Sequence, residues 1–127
     1  MSEPLEEEQP IEQEQVMDHP TREEFAGWVE GLLAQVESVD LSANMHWCSQ
    51  WWAHPEAVER LSALHAQWIL ARQENTMSSW WVNHFDAHAT VLFSVRGPFA
   101  ECGTSHVEKG YRRTLVCEPP SAEWFTA

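Results

Sequence analysis

Eight tryptophans stand in this chain of 127 residues, seven of them between positions 28 and 81. An indole hides a large apolar area when it packs, so the segment that carries these side chains has to fold around them. Charge divides the chain in a second way. Residues 1–40 hold twelve acids against Arg22 alone, whereas residues 41–127 hold eight acids and six bases. The overall charge of −13 therefore belongs mainly to the N-terminal third. Glu, Gln and Pro dominate residues 1–20, a composition that buries too little surface to offset its ordering entropy. We expect a disordered acidic arm over 1–20 and one small domain over 21–127.

The domain opens with a helix. Thr21 followed three residues later by Glu24 makes a capping box, and Phe25, Trp28, Val29, Leu32, Leu33 and Val36 recur at helical spacing, which predicts an amphipathic helix over about 22–38. Trp47 and Trp51 lie four apart, as do Cys48 and Trp52, the pattern of a short helix buried on two faces. Pro55 fits the first position of a further helix, whose buried face reads Val58, Leu61, Leu64, His65, Trp68 and Ile69, with a Glu56–Arg60 pair outside. A break at Asn75–Ser79 precedes another helix bearing Trp81, His84, Phe85 and His88 on one face. The period then changes: Thr90–Val95 and Tyr111–Cys117 are rich in strand formers and bounded by turn residues. The predicted fold is a small α+β domain of three or four helices with a C-terminal β-ribbon.

Histidine and cysteine carry the candidate chemistry. His84 and His88 are four apart, the spacing that turns two imidazoles to one side of a helix, and Cys102-Gly-Thr-Ser-His106 and Cys117 follow. His84, His88, Cys102, His106 and Cys117 are the candidate metal ligands, and either pair, completed by Cys48 or Cys117, would make a tetrahedral zinc site. The opposing reading is that the histidines are ordinary and the cysteines small buried hydrophobes, with no cofactor required. A nucleophile, Cys48 or Cys102 beside His84 or His106, would be the enzymatic reading, but no catalytic signature surrounds either cysteine. Three cysteines in all point to a reducing, cytoplasmic setting rather than a disulfide framework, with a Cys102–Cys117 bridge left open. The acidic N-terminus has no apolar core of a secretory signal, and no apolar run approaches the length of a membrane span. Phosphate-backbone binding needs a basic face, and the single basic cluster is Lys109, Arg112 and Arg113. We expect no direct nucleic-acid binding; an acidic arm that mimics nucleic acid is a separate alternative.

Trp47-Cys48-x-x-Trp51-Trp52-x-His54-Pro55-Glu56-Ala57, Trp80-Trp81-x-x-His84-x-Asp86-x-His88 and Gly97-Pro98-Phe99-x-x-Cys102, with Trp124-Phe125 near the end, resemble a family of uncharacterised small domains from actinobacteria, their plasmids and integrative elements, and actinophages. The resemblance covers about residues 44–125. It implies no established activity. With the acidic arm, it leads us to expect a non-enzymatic accessory or adaptor protein of an actinobacterial mobile element or phage, working through protein contacts. The alternative of a different class is a zinc-stabilised structural domain.

Overall fold

The computed structural model of the protein describes residues 19–102, 106 and 107, and 115–126. Residues 1–18, most of the expected arm, lie outside them. Helix α1 spans Arg22–Gln35 and starts as its sequence dictates: the Thr21 hydroxyl accepts from the Glu24 N–H, and the Glu24 carboxylate accepts from the Thr21 N–H, both at 3.0 Å. It ends three residues short of the expected bound because Val36 turns extended, and Val36 and Val39 then pack on the core from the following segment. Helix α2 spans Pro55–Glu74, with proline in its first turn, and closes on Asn75 in the left-handed region at φ 62°. Asparagine tolerates that conformation better than most residues.

The third helical run, α3, covers residues 77–92. It begins as an α-turn at Met77–Ser79, passes through a π-helical segment at Trp80–Phe85 and continues as α-helix over Asp86–Leu92. The π segment changes which residues face inward. Trp80 and Phe85, five apart, are buried, while Trp81 is partly exposed, so the single face predicted for Trp81, His84, Phe85 and His88 is split by the wider turn.

Three helices enclose the tryptophan core. Trp28 of α1 stacks on His65 of α2 at 4.5 Å between ring centroids. The buried indole N–H of Trp80 donates to the Leu64 carbonyl of α2 at 3.0 Å, so a polar atom inside the core has its partner. Arg60 on the outer side of α2 makes the expected pair with Glu56 at 2.9 Å.

The fold class differs from the α+β prediction. Among the described residues there is no strand. Thr90, Val91 and Leu92 finish α3, where the Thr90 hydroxyl donates to the Asp86 carbonyl and the Phe93 N–H to that of Ala89. Burial of Leu92 and Phe93 outweighs their strand propensity, which is a context-dependent preference. Of the second strand candidate, residues 111–114 lie outside the described residues, and 115–117 have no regular structure. The helix expected around Trp47–Trp52 is also replaced: residues 45–48 are irregular and only Trp51–Ala53 form a 3-10 turn. Trp51 is buried there, but Trp52 points outward at 61% exposure.

Candidate metal centre

Two distant stretches of chain converge at one end of the helices. The first runs from Cys48, in the irregular segment, through the 3-10 turn to His54, which immediately precedes α2. The His46 N–H donates to the Phe93 carbonyl at 2.9 Å, which pins this segment to the end of α3. The second stretch leaves α3 through consecutive tight turns, in which the N–H groups of Gly97, Ala100 and Cys102 donate to the carbonyls of Ser94, Gly97 and Phe99. These turns carry Cys102 back to Cys48 and His54, with His106 four residues on. Phe99 packs edge-on against both the Trp47 and His54 rings at about 5 Å and is fully buried.

Cys48, His54, Cys102 and His106 thus place two sulfurs and two ring nitrogens within 4.8 Å of one another. His54 Nε2 lies 3.1 Å from His106 Nδ1, Cys48 Sγ 3.2 Å from the same Nδ1, and Cys102 Sγ 3.5 Å from His54 Nε2 and 3.9 Å from His106 Nδ1. Around a tetrahedral zinc with bonds of about 2.0–2.3 Å, neighbouring nitrogens stand roughly 3.3 Å apart and nitrogen and sulfur roughly 3.6 Å apart. The observed spacings agree with these to within a few tenths of an ångström. Hydrogen bonding alone accounts for them poorly. An imidazole Nδ1 has one lone pair or one proton, yet His106 Nδ1 has both sulfurs and His54 Nε2 around it. A cation at the centre would meet all four donors together.

The backbone around the sulfurs offers both donors and an acceptor, the Cys102 thiol also donating to the Val107 carbonyl at 3.6 Å. Backbone N–H groups point at both sulfurs: Val107 donates to Cys102 at 3.4 Å, and Gln50 donates to Cys48. Burial pushes the Cys48 thiol up from its ordinary pKa, the Gln50 N–H pulls it down, and neighbouring Cys102 raises it further. A buried Cys48 thiol that resists losing its proton would be relieved by a dication, which takes sulfur ligands as thiolates. His54 stands at the N-cap of α2 without making a side-chain cap; its imidazole turns into the cluster.

The structure brings together three of the residues singled out in the sequence, Cys102 and His106 with Cys48 as the completing cysteine, and joins them to His54. His84 and His88 sit elsewhere. His88 Nδ1 lies 3.0 Å from Arg60 Nη1, and burial, followed by the charges of Arg60 and His84, holds its pKa low. Cys117 is exposed on the C-terminal segment. His54 escaped sequence reading because His-Pro at a helix start is explained by capping alone. The available signal was the pairing of Cys48-x5-His54 with Cys102-x3-His106.

A cleft of about 530 Å³ opens beside the centre, lined by His54, Pro55, Arg96, Glu101, Val107 and Leu115 among others. A larger apolar cleft of about 760 Å³ separates the start of α1 from α2, with Phe25, Trp51, Trp52, Val58 and Ile69 on its walls. No helix among the described residues is long and apolar enough to cross a membrane. A family model described as a domain of unknown function (DUF4913) matches residues 23–121, a span that includes α1 from its second residue, α2, α3 and all four donors. No curated protein and no solved structure matches the chain.

Proposed function

From the premise that the chain belongs to the DUF4913 family of domains of unknown function, we propose that it is a zinc-stabilised structural domain whose metal is held by Cys48, His54, Cys102 and His106. The observation that carries this reading is the convergence of two sulfurs and two imidazole nitrogens at tetrahedral spacing. Four protein donors complete the coordination shell, the arrangement of a structural zinc; a catalytic zinc keeps one position for water or substrate. The metal would fasten the chain around His106 to the start of α2. Such a fastening matters here because every residue described beyond Val107 is exposed.

Native mass spectrometry of the full chain tests it. The expected result is one zinc per chain, lost on chelation, and lost in Cys48→Ser and His54→Ala but kept in His84→Ala and Cys117→Ser. Zinc at a hundred times its Kd stabilises a fold by about 2.7 kcal/mol, so chelation should lower the melting temperature by roughly 10 °C for a domain of this size. A metal-free mass with a melting temperature indifferent to chelator overturns the proposal.

The apolar cleft between α1 and α2, edged by exposed Trp52, favours a second, compatible reading. In it the zinc-held domain acts as an accessory protein through protein contacts, in keeping with the mobile-element or phage setting that its sequence resemblance implies. A partner captured by the wild-type chain should then be lost with Trp52→Glu and kept with Val82→Glu, which changes an exposed side chain on α3. Equal capture by both variants removes the cleft from the interface.

A further inference from the structure

We propose that this centre also responds to hydroperoxides: oxidation of Cys48 and Cys102 to a disulfide expels the metal and unfastens the chain at His106. The proposal rests on the zinc reading above and adds to it a regulation of the same site. Its basis is the composition and placement of the donor set. The two sulfurs come from positions 48 and 102 and lie within 4.8 Å of each other, so a short approach of the two side chains joins them. The other two donors are imidazoles, which form no such bond and, as two neutral ligands, hold zinc far more weakly once both thiolates are consumed.

Access is unequal in a way that assigns the steps. Cys48 is 1% exposed and Cys102 6%, and the Cys102 side of the centre, at Glu101, Val107 and His54, faces the cleft of about 530 Å³. Neither sulfur lines the cleft, but Cys102 lies directly behind its wall, next to Glu101 and hydrogen-bonded to Val107, so a hydroperoxide that penetrates there reaches the Cys102 thiolate before that of Cys48. Its sulfur attacks the terminal peroxide oxygen, the O–O bond breaks, and an alcohol (or water, from hydrogen peroxide) leaves after taking up a proton, with Cys102 as the sulfenic acid. The Cys48 thiolate then attacks the Cys102 sulfur and displaces hydroxide, which takes a second proton to become water. Two thiolates have lost two electrons, the peroxide has gained them, and zinc departs as a dication with both histidines neutral. The resulting bond still joins position 48 to position 102, but His106 lies outside that loop and no longer has a metal to hold it. Oxidation therefore replaces a four-point clasp by a two-point one and releases the C-terminal side selectively. Cys117, exposed and outside the cluster, is not needed.

The experiment titrates the zinc-loaded full chain with hydrogen peroxide, with a chromogenic chelator reporting released zinc and intact mass reporting the protein. We expect one zinc released for each chain that becomes lighter by two hydrogens, a Cys48–Cys102 link on peptide mapping, the same behaviour in Cys117→Ser, and reloading after a dithiol reductant and zinc are added. Zinc retained while Cys117 oxidises, or released only with sulfinic acid and no Cys48–Cys102 link, overturns the switch and leaves the zinc site standing. A chain that binds no zinc at the outset overturns both.

Discussion

His65 is an imidazole enclosed by rings, stacked on Trp28 and within 6 Å of Phe25. Burial holds its pKa below the ordinary histidine value, against an upward pull from the Glu24 carboxylate. A histidine whose pKa is lower in the fold than in the unfolded chain must be neutral for its packing to count. Its contribution is therefore complete above the unfolded value and declines as pH falls through it toward the folded one. The melting temperature should fall on acidification from pH 7 to 5, and His65→Phe, which keeps a ring on Trp28, should flatten part of that decline; parallel curves for the two proteins would exclude His65 as a contributor. Residue identity alone did not separate this histidine from His54. Both lie in or beside α2 and both are buried, but one packs between rings while the other meets donors brought from half a chain away. Sequence spacing found Cys102 with His106 because four positions suffice to see them. It could not find the set of four, since nothing local relates position 54 to position 102.

At the scale of elements, the legible parts were those governed by neighbours in the chain. The capping box of α1 and the proline start of α2 are short-range chemistry, and both stand where Thr21, Glu24 and Pro55 indicate. The end of α3 is decided differently. Leu92 and Phe93 are drawn into the core, so a segment with strand-forming residues completes a helix, and the π-helical turn exists to bury Trp80 and Phe85 together, a demand that tertiary packing alone creates. The turn after α3 has its own constraint. Gly97 is buried, and a Cβ there would collide with the carbonyl oxygen of Val91 and crowd that of Leu92, which are backbone atoms with no alternative rotamer. Gly97→Ala should cost about 1–3 kcal/mol, the usual range for forcing a methyl group into a filled site, and, because the same turn aims Cys102, it should weaken zinc binding as well. Urea unfolding with and without chelator checks this: equal losses in both conditions would confine the effect to packing.

Across the whole molecule, the sequence divides into an acid-rich beginning and a nearly balanced remainder, and the described structure draws α1 from the first part and α2 and α3 from the second. Its three helices and the turn before α2 bury Trp51 and Trp80 and half-bury Trp28, Trp47 and Trp68, while Trp52, Trp81 and Trp124 stay exposed, and the four donors meet where the helices end. The donors come from before α2 and after α3, with both helices between them. This order has a consequence in time. As the chain leaves a ribosome, Cys48 and His54 emerge long before Cys102 and His106, and α2 and α3 must dock before the late pair can arrive opposite the early one. Contacts between distant positions form slowly because loop closure precedes them. On the zinc reading, metal would therefore enter last, after α2 and α3 have docked. A chain stopped anywhere before residue 102 would carry only half a site, and its tryptophans would have to find their places unaided.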